Sequence, residues 1–198
     1  DYVEESEGFI PPEFPYVRCL FVGLDLENVE IKGGGTIDGS GAAYMDYSKP
    51  TFDVTFTAEA FAAMPADRRH EYVSEHEGMR PTWIVFLRRC RNVRFRDIRI
   101  VDVARWTTRF SLCENVVMSG LSIENDLRAA NSDGMHFTSC RNVAISDCTI
   151  TSGDDCIAIT NYGDEDVLSS GTVVTNCVFT SHSAGIRIGF AETGILED

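Results

Sequence analysis

The chain has 198 residues, 43% of them hydrophobic and 24% charged, with a formal net charge of −14 at pH 7. That apolar fraction excludes a disordered chain and supports a sizeable core in one domain, two at most. An isoelectric point near 4.6 argues against nucleic acid as the main partner, because phosphate binding needs a positive surface, and no apolar run approaches the roughly 18 residues of a membrane-spanning helix.

The chain opens at Asp1 with no basic segment leading into an apolar stretch, so no signal peptide is read. Asn28-Val29 is the first of four Asn-Val pairs, each followed by alternating apolar residues. The others are Asn92-Val93, Asn115-Val116 and Asn142-Val143, and these last three are 23 and 27 residues apart. GGGTIDGSG at 33–41 is a glycine-rich turn and not a phosphate loop, since no Lys-Ser/Thr follows at the required spacing. Residues 57–77 interrupt the pattern. Their high helix propensity, with Pro65 in the middle, predicts an insertion of two short helices.

Cys90, Cys113 and Cys140 each stand two residues ahead of an Asn-Val pair. Free cysteine behaves as a small hydrophobe, so this recurrence predicts a stacked interior row, and no paired C-x-x-C suggests zinc. Asp147-Cys148-Thr149-Ile150 returns 29 residues later as Asn176-Cys177-Val178-Phe179. Val143, Ile145, Cys148 and Ile150 alternate with one parity slip, as where a strand turns a corner, and the same slip falls between Phe95 and Ile98. Repeats of this length, built of short strands with almost no helix signal, predict an all-β chain folded as a parallel β-helix. The leucine consensus of the other solenoids of similar period is missing.

Stacking the repeats sorts residues into columns. Without a gap, Asp154 stands over Ser183, Asp155 over Ala184 and Ile157 over Ile186. With a longer loop between Glu124 and Ala130, Asn131 stands over Gly153, Asp133 over Asp155 and Met135 over Ile157. One corner of three successive coils then gathers Asn131, Asp133, Asp154, Asp155 and His182 amid apolar strands. Asp133 and Asp155 would lie one rung apart, about 5 Å, so at least one of their pKa values should rise. Solvated turn aspartates or a calcium-binding corner are the plainer readings; the aligned Asn131-x-Asp133 favours a functional one. Alternation would point Asp154 and Asp155 to opposite faces unless the backbone leaves regular strand near Gly153.

These residues resemble the polygalacturonase family, glycoside hydrolase family 28, over about residues 29–189. GGGTIDGSG is similar to its glycine-rich segment, Trp106-Thr107-Thr108 to its tryptophan strand, NSDGMHF (131–137) to its Asn-Thr-Asp-Gly motif, and SGDDCIAI (152–159) to its Gly-Asp-Asp-Cys motif. The resemblance implies a right-handed parallel β-helix and an inverting, metal-independent hydrolysis of α-1,4-galacturonan or a related pectic chain, with no cofactor. It implies Asp154 as general acid and Asp133 with Asp155 as the pair activating water, the acid and base roughly 6.5–9.5 Å apart. Asn131, His182 and Arg187 are the implied substrate-binding residues.

Two departures accompany the resemblance. SHSAGIRIGF (181–190) aligns in two ways: matching the strand, which the ungapped register favours, puts Ala184 at the family's histidine position, and matching the histidine puts His182 there with two extra residues before the strand. The family's Arg-Ile-Lys motif has no counterpart on the proper coil, Arg187-Ile188-Gly189 matching only its first two residues on an earlier one. A single β-helix domain spanning 1–198, itself a fragment of a longer one, is expected, as are a monomer and a secreted or periplasmic location. Arg88, Arg89, Arg91, Arg94, Arg96 and Arg99 form a band that either lines a sugar groove or is a solvated outer face. The competing functions are a calcium-dependent polysaccharide lyase and a carbohydrate-binding β-helix without turnover.

Overall fold

Each sequence repeat becomes one coil of three short strands in the computed structural model, which describes residues 3–4, 18–52, 57–66, 71–75, 80–161 and 168–189. The first coil runs through Arg18–Leu24, Glu30–Lys32 and Thr36–Asp38, and the second through Trp83–Arg88, Arg91–Arg96 and Arg99–Val101. The third holds Trp106–Ser111, Glu114–Ser119 and Ser122–Glu124, the fourth Met135–Thr138, Arg141–Ser146 and Thr149–Ser152. Ile157–Thr160, Ser170–Thr175 and Val178–Ser181 form the fifth, and Ile186–Ile188 begins a sixth. Corresponding strands pair in parallel into sheets of seven, five and five strands, the seven including Val3–Glu4, which joins antiparallel beside Arg18–Leu24. The result is a right-handed parallel β-helix.

Alternation decides what the solenoid encloses. In the second sheet Val93 and Phe95, Val116 and Met118, and Val143 and Ile145 point inward and are buried, while Arg94 and Arg96 point out. Cys90, Cys113 and Cys140 form the interior row that their spacing suggests. Their thiols donate to the carbonyls of neighbouring coils, Cys113 Sγ to Leu87 O and Cys140 Sγ to Phe110 O, both at 3.4 Å. Phe110 and Phe137 stack with centroids 5.2 Å apart.

The Asn-Val pairs make a corner. Asn28, Asn92, Asn115 and Asn142 all adopt the left-handed backbone, with φ of 59°, 53°, 56° and 54°, a conformation asparagine tolerates better than most residues. The side-chain amides of Asn92, Asn115 and Asn142 each donate to Oδ1 of the asparagine on the preceding coil, at 3.2, 3.1 and 3.1 Å in turn. The valine that follows each asparagine then falls on the inner face.

Residues 57–77 depart from the two-helix expectation. Ala58–Ala63 is helical, capped by Thr57, whose Oγ1 accepts from the Ala60 N–H at 3.1 Å, and it stops where Pro65 holds Met64 extended. Glu71–Glu75 is instead a strand, paired antiparallel with Met45–Phe52. Tyr72 and Val73 are good strand formers and are buried there, and the Val73 N–H donates to Arg128 O at 2.9 Å. Residues 67–70 and 76–77 of this segment lie outside the described residues. In the glycine-rich turn, a side chain at Gly41 would place its Cβ 2.5 Å from Val103 O, so only glycine lets the first coil close against the second. Among the described residues no helix is long and apolar enough to cross a membrane.

Candidate active site

The corner between the third and first sheets is where the strands stop being regular. In the fourth coil Thr149–Ser152 ends before Gly153, and strand resumes only at Ile157. A Cβ on Gly153 would sit 2.4 Å from Ala129 O and 2.9 Å from Leu127 O, so the bend depends on glycine for space. Because residues 153–156 turn the corner rather than alternate, Asp154 and Asp155 converge instead of facing apart. The register on either side is as the columns predict: Met135 pairs with Ile157 and Ile157 with Ile186. The Gly134 N–H donates to Asp155 O and the Cys156 N–H to Ala184 O, both at 2.9 Å. Asp133 therefore adjoins Asp155, and Ala184 is what stands beside Asp155 on the following coil.

A lattice of hydroxyls and amides holds this backbone. Asn125, Ser152 and Ser181 occupy one column at the ends of the third-sheet strands. Asn125 Nδ2 donates to Ser132 O and Thr107 Oγ1, each at 2.9 Å; Ser152 Oγ donates to Ser132 O at 2.6 Å; Ser181 Oγ donates to Asp154 O. The Gly153 N–H donates in turn to Ser132 Oγ at 2.9 Å. Arg80, buried, donates through Nη1 to Ala104 O and Ala130 O and through Nη2 to Asn131 Oδ1. Asn131 is left-handed, with φ of 55°, and its Nδ2 donates to Asp154 Oδ2 at 3.4 Å.

Each of Asp133, Asp154 and Asp155 offers an oxygen within 4.8 Å of the other two. These oxygens lie closer together than the 6.5–9.5 Å between carboxyl groups expected of an inverting acid and base. Asp133 is 4% exposed and Asp155 1%, whereas Asp154 is half-buried at the surface. Burial, then the Asp154 and Asp155 carboxylates, push the Asp133 carboxyl well above the usual range. Burial and Asp154 push Asp155 up as well, opposed by Ser183 and Arg187. Arg187 Nε lies 2.9 Å from Asp155 Oδ2, and Ser183 Oγ donates to Asp155 Oδ1 at 2.9 Å. A cation held by the three acids would share Asp155 with that guanidinium.

His136, three residues after Asp133, closes the site on the first-sheet side. Its Nδ1 stands 3.9 Å from Asp133 Oδ2, its Nε2 is 3.1 Å from Thr160 Oγ1, and its ring lies 5.2 Å from that of Trp106. Burial first, with Arg109 and Arg187 nearby, lowers its pKa to about 3, so it is neutral over the ordinary pH range. Trp106 also faces the Arg109 guanidinium at 5.4 Å, which stacks on Trp83 at 5.6 Å.

Of the residues singled out in the sequence, Asn131, Asp133, Asp154, Asp155 and Arg187 meet at this corner. His182, half-buried, stands over Gly153 by register. The arginine band lies elsewhere and is tied to acids of neighbouring coils: Arg89 to Asp25 at 2.7 Å, Arg96 to Glu30 at 2.5 Å, Arg99 to Glu124 at 2.6 Å and Arg91 to Glu114 at 3.7 Å. It is an ion-paired outer face. Arg80, Asn125, His136 and Ser183 are not among the site residues read from sequence. A signal exists for Asn125, which shares with Ser152 and Ser181 a polar column at the third-sheet strand ends, and for Ser183, which the ungapped register places over Asp154.

Comparison with known proteins agrees with this architecture. The chain is 28% identical over 178 residues to Polygalacturonase-2 of Solanum lycopersicum, covering 89% of the chain and 33% of that protein. It is 26% identical over 165 residues to a polygalacturonase of Persea americana, covering 83% and 30%. The chain thus spans about a third of the length of these relatives. A hyperthermoactive exopolygalacturonase from Thermotoga maritima superposes with a TM-score of 0.65 at 26% identity, over 96% of this chain and 46% of that one. The family model for Glycosyl hydrolases family 28 matches residues 12–191, nearly the whole sequence, and the chain belongs to that family.

Proposed function

We propose that the chain carries the catalytic centre of an extracellular glycoside hydrolase that cleaves pectic polysaccharide, α-1,4-galacturonan or a related uronic-acid glycan, by inverting, metal-independent acid/base catalysis. The observation that carries this reading is the convergence of three carboxylates from two coils, one half-exposed and two buried. Asp154, the outermost and steadied by Asn131, protonates the departing glycosidic oxygen. Asp133 and Asp155 face the water that attacks the anomeric carbon, and one of them takes its proton. The bond from the anomeric carbon to the leaving oxygen breaks as the bond to water forms, so one water is consumed per cut. Asn131 and His182 face the sugar at the rim of the corner. Membership of the family and the polygalacturonase relatives support the substrate class.

The test incubates the protein and its Asp154→Asn variant with polygalacturonate in the presence of a chelator. Reducing ends, the ultraviolet absorbance of unsaturated uronides and the anomeric configuration of the first product are followed together. Reducing ends without absorbance, of inverted configuration and lost by about 10²–10⁴-fold in the variant, is the expected result. Retained configuration would overturn the mechanism, and absorbance appearing only when calcium is restored would make the protein a lyase.

A further inference from the structure

Two buried carboxylates this close resist ionising together, so one of Asp133 and Asp155 should keep its proton to higher pH than the other. Their surroundings differ. Both oxygens of Asp155 are occupied from the following coil: Oδ2 by Arg187 Nε at 2.9 Å and Oδ1 by the Ser183 hydroxyl at 2.9 Å. Arg187 Nη2 also donates to Ser183 Oγ at 3.1 Å, which closes a ring of three side chains. Arg187 pairs in the ladder with Ala158, whose methyl leaves its stem room to reach back toward Asp155. Asp133 has no such clamp. Among the described residues its Oδ1 is buried with no hydrogen-bond partner, and its Oδ2 faces, at 3.9 Å, a neutral His136 whose Nδ1 is also without one.

We propose that Arg187 and Ser183 are positioning residues that hold Asp155 as the carboxylate taking water's proton, with Asp133 the neutral member of the pair. This rests on the hydrolase reading above and gives Arg187 a task other than gripping a sugar carboxylate. A guanidinium at 2.9 Å favours the charged form of the acid it touches. The other titratable groups facing Asp155 are Asp133 on the preceding coil and Asp154 beside it in the chain, each of which opposes its ionisation when itself charged. Asp133 faces Asp154, Asp155 and the neutral His136, with Arg187 beyond Asp155. In turnover Asp155 accepts one water proton as the water oxygen bonds to the anomeric carbon. Asp154 gives its proton to the departing oxygen, and solvent exchange restores both.

The experiment titrates the protein, labelled with ¹³C at the aspartate side-chain carboxyl, by NMR as wild type, Arg187→Gln, Arg187→Lys and Ser183→Ala. The Asp155 resonance is identified by its loss in Asp155→Asn. Its midpoint is expected to rise by about 1–3 pH units in Arg187→Gln. A smaller rise is expected in Arg187→Lys, which keeps the charge and serves if the glutamine variant does not fold. The acid limb of kcat/KM on polygalacturonate should move by the same amount with KM little changed. An unmoved Asp155 midpoint in a folded variant, or a raised KM with the pH profile fixed, overturns the proposal. A moved midpoint supports the clamp whether or not polygalacturonate is cut. Failure of the wild type to cut it counts against the hydrolase reading alone.

Discussion

Asp133→Asn should make this protein more stable at neutral pH while abolishing its chemistry. The amide would keep the shape of the protonated acid and remove a buried ionisable group beside two other carboxylates. Oxygens of the three acids lie within 4.8 Å of one another, and two unit charges at that limit repel by about 3.5 kcal/mol at an effective dielectric constant near 20. Arg187 largely offsets the Asp155 charge, which leaves about one such repulsion, whether it is met by ionising Asp133 or by keeping it protonated against the solvent pH. The expected gain is therefore about 2–3 kcal/mol at pH 7, or roughly 5–10 °C in Tm for a chain of this size. The sign follows from linkage. The folded-state pKa of Asp133 is raised above 3.8, so above pH 3.8 the folded protein holds a proton that the unfolded chain has released. Stability contributed by this group is complete below that pH and is lost as pH rises through the window. The neighbouring His136 titrates in the opposite sense between pH 6.5 and about 3, but it is present in both proteins and cancels in their difference. Thermal unfolding of both proteins from pH 4 to 7.5 measures the effect. A variant no more stable than wild type at pH 7, or an advantage equally large at pH 4, would refute the assignment of a buried, repelled carboxyl.

Asn115→Ala should cost about 2 kcal/mol in urea unfolding, since it removes the links to Asn92 and Asn142 and leaves an alanine at φ 56°. Asn115→Gly should cost about 1 kcal/mol or less, because glycine relieves the backbone term and leaves only the lost hydrogen bonds. Iodoacetamide applied to the native protein should modify the half-buried Cys177 ahead of the interior cysteines, as peptide mass mapping would show. Burial holds the Cys148 and Cys156 thiols up near 11, and early labelling of either would mean that the core opens readily.

The solenoid is legible in the sequence because its physics is periodic. A left-handed corner is filled by asparagine in the first four coils and by Gly171 in the fifth, the next residue faces in, and a cysteine fills the same interior place in the second to fourth, so the requirement recurs along the solenoid. The acids are legible for the converse reason. Asn131, Asp133, Asp154 and Asp155 are polar groups at positions where the other coils carry apolar or neutral residues, and the column register brings them together without any knowledge of side-chain conformation. The insertion is legible only in part because propensity is a local signal. Nothing in residues 71–75 says that Met45–Phe52, twenty residues earlier, offers an open strand edge.

Arg187 marks the boundary between what register decides and what it leaves free. Backbone pairing fixes it beside Ala158, and a short side chain there would have been placed by that fact alone. Arginine's long stem lets the guanidinium reach an acid off its own ladder position. That acid is Asp155, reached across a coil and secured by a serine four residues back. Arg80 behaves the same way, arriving from outside the repeats to satisfy carbonyls of two later coils. The acids of this corner are thus set by the fold, whereas the cations answer to the field the acids create. A homologous corner with another residue at 187 would keep its three carboxylates in place and distribute their proton differently.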